Sequence, residues 1–513
     1  MGACVGGSRT NSIGLALPKQ TTSQNYKPAD ALRDLLALGI GNYGAIGVGL
    51  IVNTLLARQL GTEQYGRLAL MLMASQVLLL VAVNWTHAAF VRFGSHEFVS
   101  KGTVTEALYS RLGMVVPVAV VAMLVMAVAR RQLAVFLDVP QFGVWLILVH
   151  FIAVCALSII GAVLQASQQM ARYGVSLFLD KALMLVCVVV LSTAKIANPL
   201  VVLVCYASSS LSVAIWGSWM VRTRFRGALP SPAVYREMVL FSAPLLLSTW
   251  AFFFGTNWID LVILKKYVPM SGIGVYSLAT QLAGVIQQIT IIFSTLILPH
   301  LSLLVRERQD VRIKVFLERL LPYWLLGMSI LFCLVLLGTP AVVPLIFGQA
   351  FRGTVPVLVL MMAASSAFAV FNAVVPLINA YGATWTLSRI CLASATANIV
   401  LDLAFIPRFG VMGSAVATII AYSGSAILAL RYVQTSTGGR VFRLGGLATP
   451  VLVECACFLL LDGIWFYIAA SIGAAITAFI LVAVFRLFDD EDVTFFKQLD
   501  LPMPFISGAR VSR

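Results

Sequence analysis

Charge is what this sequence has least of. Only 11% of its 513 residues are Asp, Glu, Lys or Arg, against 60% hydrophobic, and the mean hydropathy is +0.96. A soluble domain has no use for that much apolar surface, so the composition points to a membrane protein. The four histidines (His87, His96, His150, His300) show no ligand spacing. The eight cysteines are scattered, and Cys455 and Cys457, two apart, point to different faces of a helix. Neither a disulfide framework nor a metal site is expected, and no cofactor is indicated. No G-x-x-x-x-G-K-[ST] run occurs, which argues against direct ATP hydrolysis. The first 34 residues hold no apolar leader, so no cleavable signal peptide is expected.

What is present is a series of apolar runs, each near the ~20 residues that cross a hydrocarbon core as helix. They fall near 35–56, 68–88, 112–129, 144–164, 176–193, 199–219 and 239–264. The second set falls near 275–298, 323–346, 355–378, 387–404, 412–433, 446–461 and 464–486. That makes fourteen spans, the last two divided only by the turn dipeptide Asp462-Gly463. The loops are short, and none could build a soluble catalytic domain. No catalytic residue is assigned, and the chain does not read as an enzyme.

The net charge of +15 follows from topology. With the N-terminus in the cytoplasm, most of the Lys and Arg residues fall on the cytoplasmic side, as in "RTRFRG" (222–227) and "RERQDVRIK" (306–314). Anionic headgroups account for this excess, so a nucleic-acid partner is not expected. An even number of spans places the C-terminus inside as well.

The chain also echoes itself. "ARQLGTEQYGRLAL" follows span 1 and "LKKYVPMSGIGVYSL" follows span 7, and Arg58 leads Gly66 by the same spacing as Lys266 leads Gly274. "VLQA" (163–166) after span 4 similarly faces "LINA" (377–380) after span 10. The expected organisation is a cytoplasmic segment 1–34, a six-helix half 35–221, a cytoplasmic linker 222–238 and a second six-helix half 239–433. Two additional spans (446–486) and a cytoplasmic tail (487–513) follow. Parallel repeats of this kind place a transport path between the halves.

Polar side chains mark that path. On span 1, Asn42, Gly49 and Asn53 share a helical face that Ile46 interrupts; on span 8, Ser277, Gln281, Gly284 and Gln288 do. Span 2 offers Gln76, Asn84 and His87. Span 7 offers Ser242, Thr249, Thr256 and Asp260, with Asn257 nearby. Such seams either bind helices to one another or line a hydrophilic cavity. A carboxylate at membrane depth costs at least about 2.5 kcal/mol, which makes Asp260 a candidate for coupling or gating, with His87 beside it. Toward the outer interface, the other reading of Asp260 is a solvated end residue or a structural partner of Lys265, Lys266 or a nearby Arg. Arg92, Lys181 and Arg389, at span ends, could compensate an anionic cargo, or serve as topology anchors.

These residues resemble the polysaccharide flippases (Wzx-type) of the multidrug/oligosaccharidyl-lipid/polysaccharide (MOP) exporter superfamily. The resemblance rests on "LLARQLGTEQYGRLAL", "FVRF" (90–93), "WIDLVILKKYVPMSGIGVYSLATQL" and "LPHLS" (298–302). "LIFGQAF" (345–351), "NAYG" (379–382) and "NIVLDLAFIPRFGVMGSAVAT" (398–418) extend it across roughly residues 35 to 435. It implies an all-α polytopic membrane protein of about 14 transmembrane helices. Two pseudo-symmetric six-helix halves would form a V-shaped bundle, with two C-terminal helices added. It further implies a flippase that moves polyprenyl-diphosphate-linked oligosaccharide to the outer leaflet by alternating access, for O-antigen or exopolysaccharide, in a bacterial inner membrane. The partners implied are that lipid-linked cargo, membrane lipids, and polysaccharide polymerase with chain-length machinery. On this resemblance Arg92, Lys181, Arg389, Asn53, Asn84, Asn257, Gln281 and Gln288 are candidate substrate-binding residues. A peptidoglycan-precursor flippase and a cation-coupled drug antiporter of the same superfamily remain alternatives. A membrane polysaccharide polymerase or acyltransferase is the alternative of a different class.

Overall fold

A computed structural model describes residues 28–222, 232–254, 257–438, 441–461 and 463–485, and all regular structure among them is helical. Among the described residues, ten helices are long and apolar enough to cross a membrane. Two of these hold two spans each. Pro28–Ala82 turns at Gly61 (φ 68°) and Thr384–Thr437 turns at Gly410 (φ 55°), a left-handed conformation that glycine adopts without a Cβ penalty. Span 7, described over Pro232–Phe254 and Asn257–Tyr267, and the short span 13 (Val441–Ala448 and Thr449–Leu460) complete fourteen. The protein is an all-α polytopic bundle.

The helices overrun the apolar runs that announce them. Span 5 runs Met170–Ala194 and span 8 runs Met270–Arg306, because apolarity marks only the part of a helix that meets hydrocarbon. One consequence is that Lys181 lies in the middle of span 5 instead of flanking its start. Span 2 contains a break. A 3-10 turn at Asn84–Thr86 separates its first part from the helix His87–Lys101. A face counted by 3.6-residue periodicity through that turn does not continue, so Gln76 does not share a seam with Asn84 and His87. The short helix Arg130–Leu137 between spans 3 and 4 was not signalled by the apolar runs; the sequence turns away after it at Asp138 (φ 55°).

Two six-helix halves form a V-shaped bundle. In the first, span 1 packs along span 5, and span 4 along span 6 (Pro199–Val221). In the second, span 10 (Thr354–Ala380) packs against span 8 and against the long helix of spans 11 and 12. Span 10 is the central post of this half, with 83% of its apolar stretch buried inside the protein, against 17% for the lipid-facing span 14. Spans 13 and 14 (Ile464–Phe485) pack on each other and on the second half, where Cys455 donates its thiol to the Val359 carbonyl at 3.3 Å.

The halves join where spans 1 and 2, and 7 and 8, turn. A Cβ built on Gly66 would lie 2.3 Å from the Met270 carbonyl oxygen, and one on Gly274 would lie 2.0 Å from that of Thr62. Only two bare backbones fit so closely. Arg58 reinforces the joint by donating from Nε to the Ile346 carbonyl at 2.6 Å and from its terminal nitrogen to that of Leu345. These carbonyls end span 9 (Leu321–Phe347), and a cation at a helix C-terminus satisfies them and meets the negative end of the dipole. Toward the other end of the bundle, Pro232–Phe254 of span 7 packs on the helix of spans 11 and 12 in its own half and also reaches spans 2 and 3. Asn257–Tyr267 packs on spans 8, 11 and 12.

Candidate substrate cavity and carboxylate cluster

Between the halves lies a cavity of about 870 Å³, at the upper end of the ~300–1,000 Å³ common for ligand sites. Each half contributes a polar wall. Asn42, Gly49 and Asn53 of span 1 line it, and Ile46 lines it with them. Gln76 joins from span 2, and Ser277, Gln281, Gly284 and Gln288 from span 8. The helical spacing places these side chains on one face, and the packing turns that face inward. Aromatic rings complete the wall, with Tyr206 on one side and Phe368, Phe371 and Tyr422 on the other.

The cavity is roofed beside the Gly66–Gly274 joint. Tyr65 of span 2 donates its hydroxyl to Oε1 of Gln281 on span 8 at 3.0 Å, a hydrogen bond from one half to the other. The Tyr65 ring also stands edge-on to Phe351, with centroids 5.6 Å apart. Tyr65 is itself 2% exposed, so the roof admits little water.

The basic candidates separate. Lys181 lines the cavity, but its Nζ lies 3.0 Å from Oδ2 of the neighbouring Asp180 and its charge is offset there. Asp180 is held in turn by the Ser209 and Ser210 hydroxyls at 3.2 and 2.9 Å. Arg92 and Arg389 do not line the cavity. Arg92 is exposed, with its guanidinium 4.8 Å from the centre of the Phe241 ring, so it sits where span 2 meets the Pro232–Phe254 stretch of span 7. Arg389 is exposed two residues before the lining residue Cys391, near the start of span 11. Asn84 is exposed and His87 half-buried, both in the interrupted stretch of span 2 and neither in the cavity wall. The side chains of Asn257 and Thr249, and the whole of Thr256, lie outside the described residues; Ser242 is buried.

Asp260 departs from the reading of a solvated end residue or a partner of lysine. It is wholly buried, in the Asn257–Tyr267 stretch of span 7. Tyr276 of span 8 donates its hydroxyl to Oδ2 at 2.5 Å, and the Asn398 amide of span 11 donates to Oδ1 at 2.9 Å. The same amide nitrogen donates its second hydrogen to Oδ2 of Asp402 at 3.0 Å, and Ser414 of span 12 donates to the Tyr276 oxygen at 3.1 Å. Among the described residues no cation pairs with either carboxylate, and Oδ1 of both Asn398 and Asp402 lacks a partner. Lys265 and Lys266 lie in the last turn of that helix, with Lys266 over the Tyr267 ring. Two carboxylates out of water and bridged by one amide do not persist as a bare pair of charges, so either a proton neutralises one of them or a cation joins them.

Sequence reasoning did not single out Asp402, Asn398, Asp180 or Arg111. The first two stand at i and i+4 in "NIVLDLAF", a helical spacing that could have marked them. Arg111, on span 3, is fully buried: its Nε donates to Thr86 at 3.1 Å, its guanidinium lies 5.1 Å from the Phe90 ring centre, and its two terminal nitrogens find no acceptor among the described residues.

Comparison with known proteins agrees with this architecture. Residues 31–305 match the family described as polysaccharide biosynthesis protein. Among solved structures, the fold is similar to the lipid II flippase MurJ in an inward closed conformation, at 12% identity and a TM-score of 0.69, covering 90% of this chain and 100% of that one. It is also similar to a multidrug resistance MATE family transporter of the MOP superfamily in an inward-facing conformation (13%, TM-score 0.55, 78% and 94% covered). The MATE multidrug transporter DinF-BH in complex with R6G is a third (14%, TM-score 0.58, 82% and 98%). No curated protein matches the chain.

Proposed function

The chain belongs to the polysaccharide biosynthesis protein family of the MOP superfamily, and from that premise we propose that it is a flippase for polyprenyl-diphosphate-linked oligosaccharide. The observation that carries the reading is the roofed polar cavity between two pseudo-symmetric halves. Its amides and hydroxyls can replace the water around a glycan, and its aromatic faces can stack on sugar rings. The cargo would enter from the cytoplasmic leaflet of a bacterial inner membrane, with both termini of the protein in the cytoplasm. The joint at Gly66 and Gly274 then faces outward, and the structure is closed on that side.

Division of labour follows from where the charges lie. The glycan occupies the cavity, while the lipid diphosphate stays lower, among the exposed Arg92, Arg172 and Arg389 at the ends of spans 2, 5 and 11. Arginine suits this because its planar fork binds phosphate oxygens in pairs. The polyprenyl chain remains in the bilayer. Coupling belongs to Asp260 and Asp402. A proton or a small monovalent cation taken between them changes the charge in span 7, whose Pro232–Phe254 stretch touches spans 2 and 3 of the other half as well as spans 11 and 12 of its own. Such a local charge change biases a two-state element. The product would be used in O-antigen or exopolysaccharide synthesis, with polymerase and chain-length machinery as downstream partners.

The test is reconstitution of the full chain in liposomes with a fluorescent polyprenyl-diphosphate oligosaccharide, reading the fraction of label reaching the far leaflet. Flipping that rises above protein-free liposomes and falls in Arg92→Ala supports the reading. Movement of lipid II alone, or of a cationic drug alone, replaces it with a sister function of the superfamily.

A further inference from the structure

Resting on the reading that the cavity carries the glycan of a lipid-linked cargo, we propose that this glycan is uncharged, built of neutral hexose and N-acetylhexosamine units. The argument begins with what the wall presents. Its only Asp, Glu, Lys or Arg residues among the described ones are Asp180 and Lys181, and these two neutralise each other at 3.0 Å. Asp180 is 6% exposed and anchored by two serine hydroxyls, so the pair is fixed in the wall and Lys181 is not free to turn to a ligand without leaving a buried carboxylate behind. The stretch of span 7 from Ala243 to Trp258 adds no ionisable side chain by sequence. His150 is engaged with the Ser75 hydroxyl at 2.8 Å and stands edge-on to Tyr206.

A hexuronic acid or a pyruvylated sugar brings a carboxylate. Out of bulk water that charge needs a cation to offset it, and among the described residues this wall offers none beyond the paired Lys181. What it does offer fits neutral sugars. Asn42, Asn53, Gln76 and Gln288 line the cavity, and the structure gives their side chains no hydrogen bond to another described residue. An amide carries donors and acceptors together, which matches a sugar hydroxyl or an N-acetyl group and leaves a carboxylate facing acceptor oxygens as well as donors. Phe368 and Tyr422 form a tilted pair, centroids 5.2 Å apart at 34°, a surface on which the C–H face of a pyranose can lie. The basic residues outside the cavity remain for the diphosphate, which every cargo of this kind shares. They therefore set no preference among glycans.

The experiment uses the full chain in liposomes and two fluorescent polyprenyl-diphosphate cargoes, one with a neutral glycan and one with a single hexose replaced by hexuronic acid. The neutral cargo should flip faster by about tenfold or more, a ratio equivalent to ~1.4 kcal/mol of discrimination. Gln288→Lys, which adds a cation to the wall, should raise the rate for the acidic cargo and erode the ratio. Asn42→Lys on the facing span is the second variant, should the first not fold. Equal rates, or a faster acidic cargo, overturn the inference while leaving the flippase reading intact. An unchanged ratio in both lysine variants overturns it as well. Transport of neither cargo overturns the flippase reading and this inference with it.

Discussion

Gly66 and Gly274 hold equivalent places in the two halves, and they pack against each other across the joint. Each presents its bare backbone to the residue four before its counterpart, Gly66 to Met270 and Gly274 to Thr62. The contact is thus self-complementary about a pseudo-twofold axis, as in a symmetric dimer.

Bulk at that joint should hold the roof open. Gly66→Leu and Gly274→Leu each force the backbones apart, an overpacking that costs about 1–3 kcal/mol of the closed state. We expect transport to fall about tenfold or more, and a cysteine at Gln288 to become reactive to an impermeant thiol reagent added from outside. Wild-type reactivity together with wild-type transport would show that the joint does not gate the cavity.

The carboxylate cluster should govern energy coupling. Asp260→Asn keeps an acceptor for Tyr276 and should fold, yet it removes the charge that a proton or cation answers. Flipping should slow and lose its dependence on imposed ion gradients, and Asp402→Asn should do the same. Asp260→Ala should be worse than Asp260→Asn, because it also leaves the Tyr276 hydroxyl and the Asn398 amide without their acceptor, at about 1–3 kcal/mol each. Thermal stability and transport, measured on the same preparations, separate the two effects.

Arg111 invites a stability test. A buried guanidinium with two terminal nitrogens unpartnered among the described residues is costly, and an unbranched apolar side chain of similar length fills the space without that cost. Arg111→Met should raise the apparent Tm, consistent with the ~1–4 kcal/mol gained when buried charges are replaced by apolar residues. A lowered Tm would mean that the Thr86 hydrogen bond and the Phe90 contact outweigh the desolvation.

Topology is checked by labelling. In a cysteine-free background, Gln64→Cys should react with an impermeant reagent applied to intact cells and Glu307→Cys should not. Reversed labelling would turn the proposed orientation over.

The fourteen spans were legible because hydrocarbon thickness imposes a length on each apolar run, and glycine or proline marks most turns. The seams on spans 1 and 8 were legible for a related reason, since an unbroken helix keeps its periodicity from Asn42 to Asn53 and from Ser277 to Gln288. On span 2 the helix is interrupted, at Asn84–Thr86. Periodicity counted across such a break mixes two faces, which is why Asn84 and His87 were grouped with the cavity residue Gln76. The partners of Asp260 could not be read at all from its own neighbourhood. Asn398 and Asp402 reach it only because spans 7 and 11 pack side by side, and Lys265 and Lys266, close in sequence, lie toward the end of the same helix.

Spans 13 and 14 attach to one half alone, through spans 9 to 12, while the outer face of span 3 leaves Val121, Leu124, Val125 and Val128 uncovered. The bundle is therefore lopsided in the plane of the membrane. Lipid resists the sideways travel of a wide object more than that of a narrow one, and no inertia counts at this scale. On the proposed rocking cycle the half without added spans, which holds Asn53, Gln76 and Lys181, would displace less lipid than the half that carries spans 13 and 14.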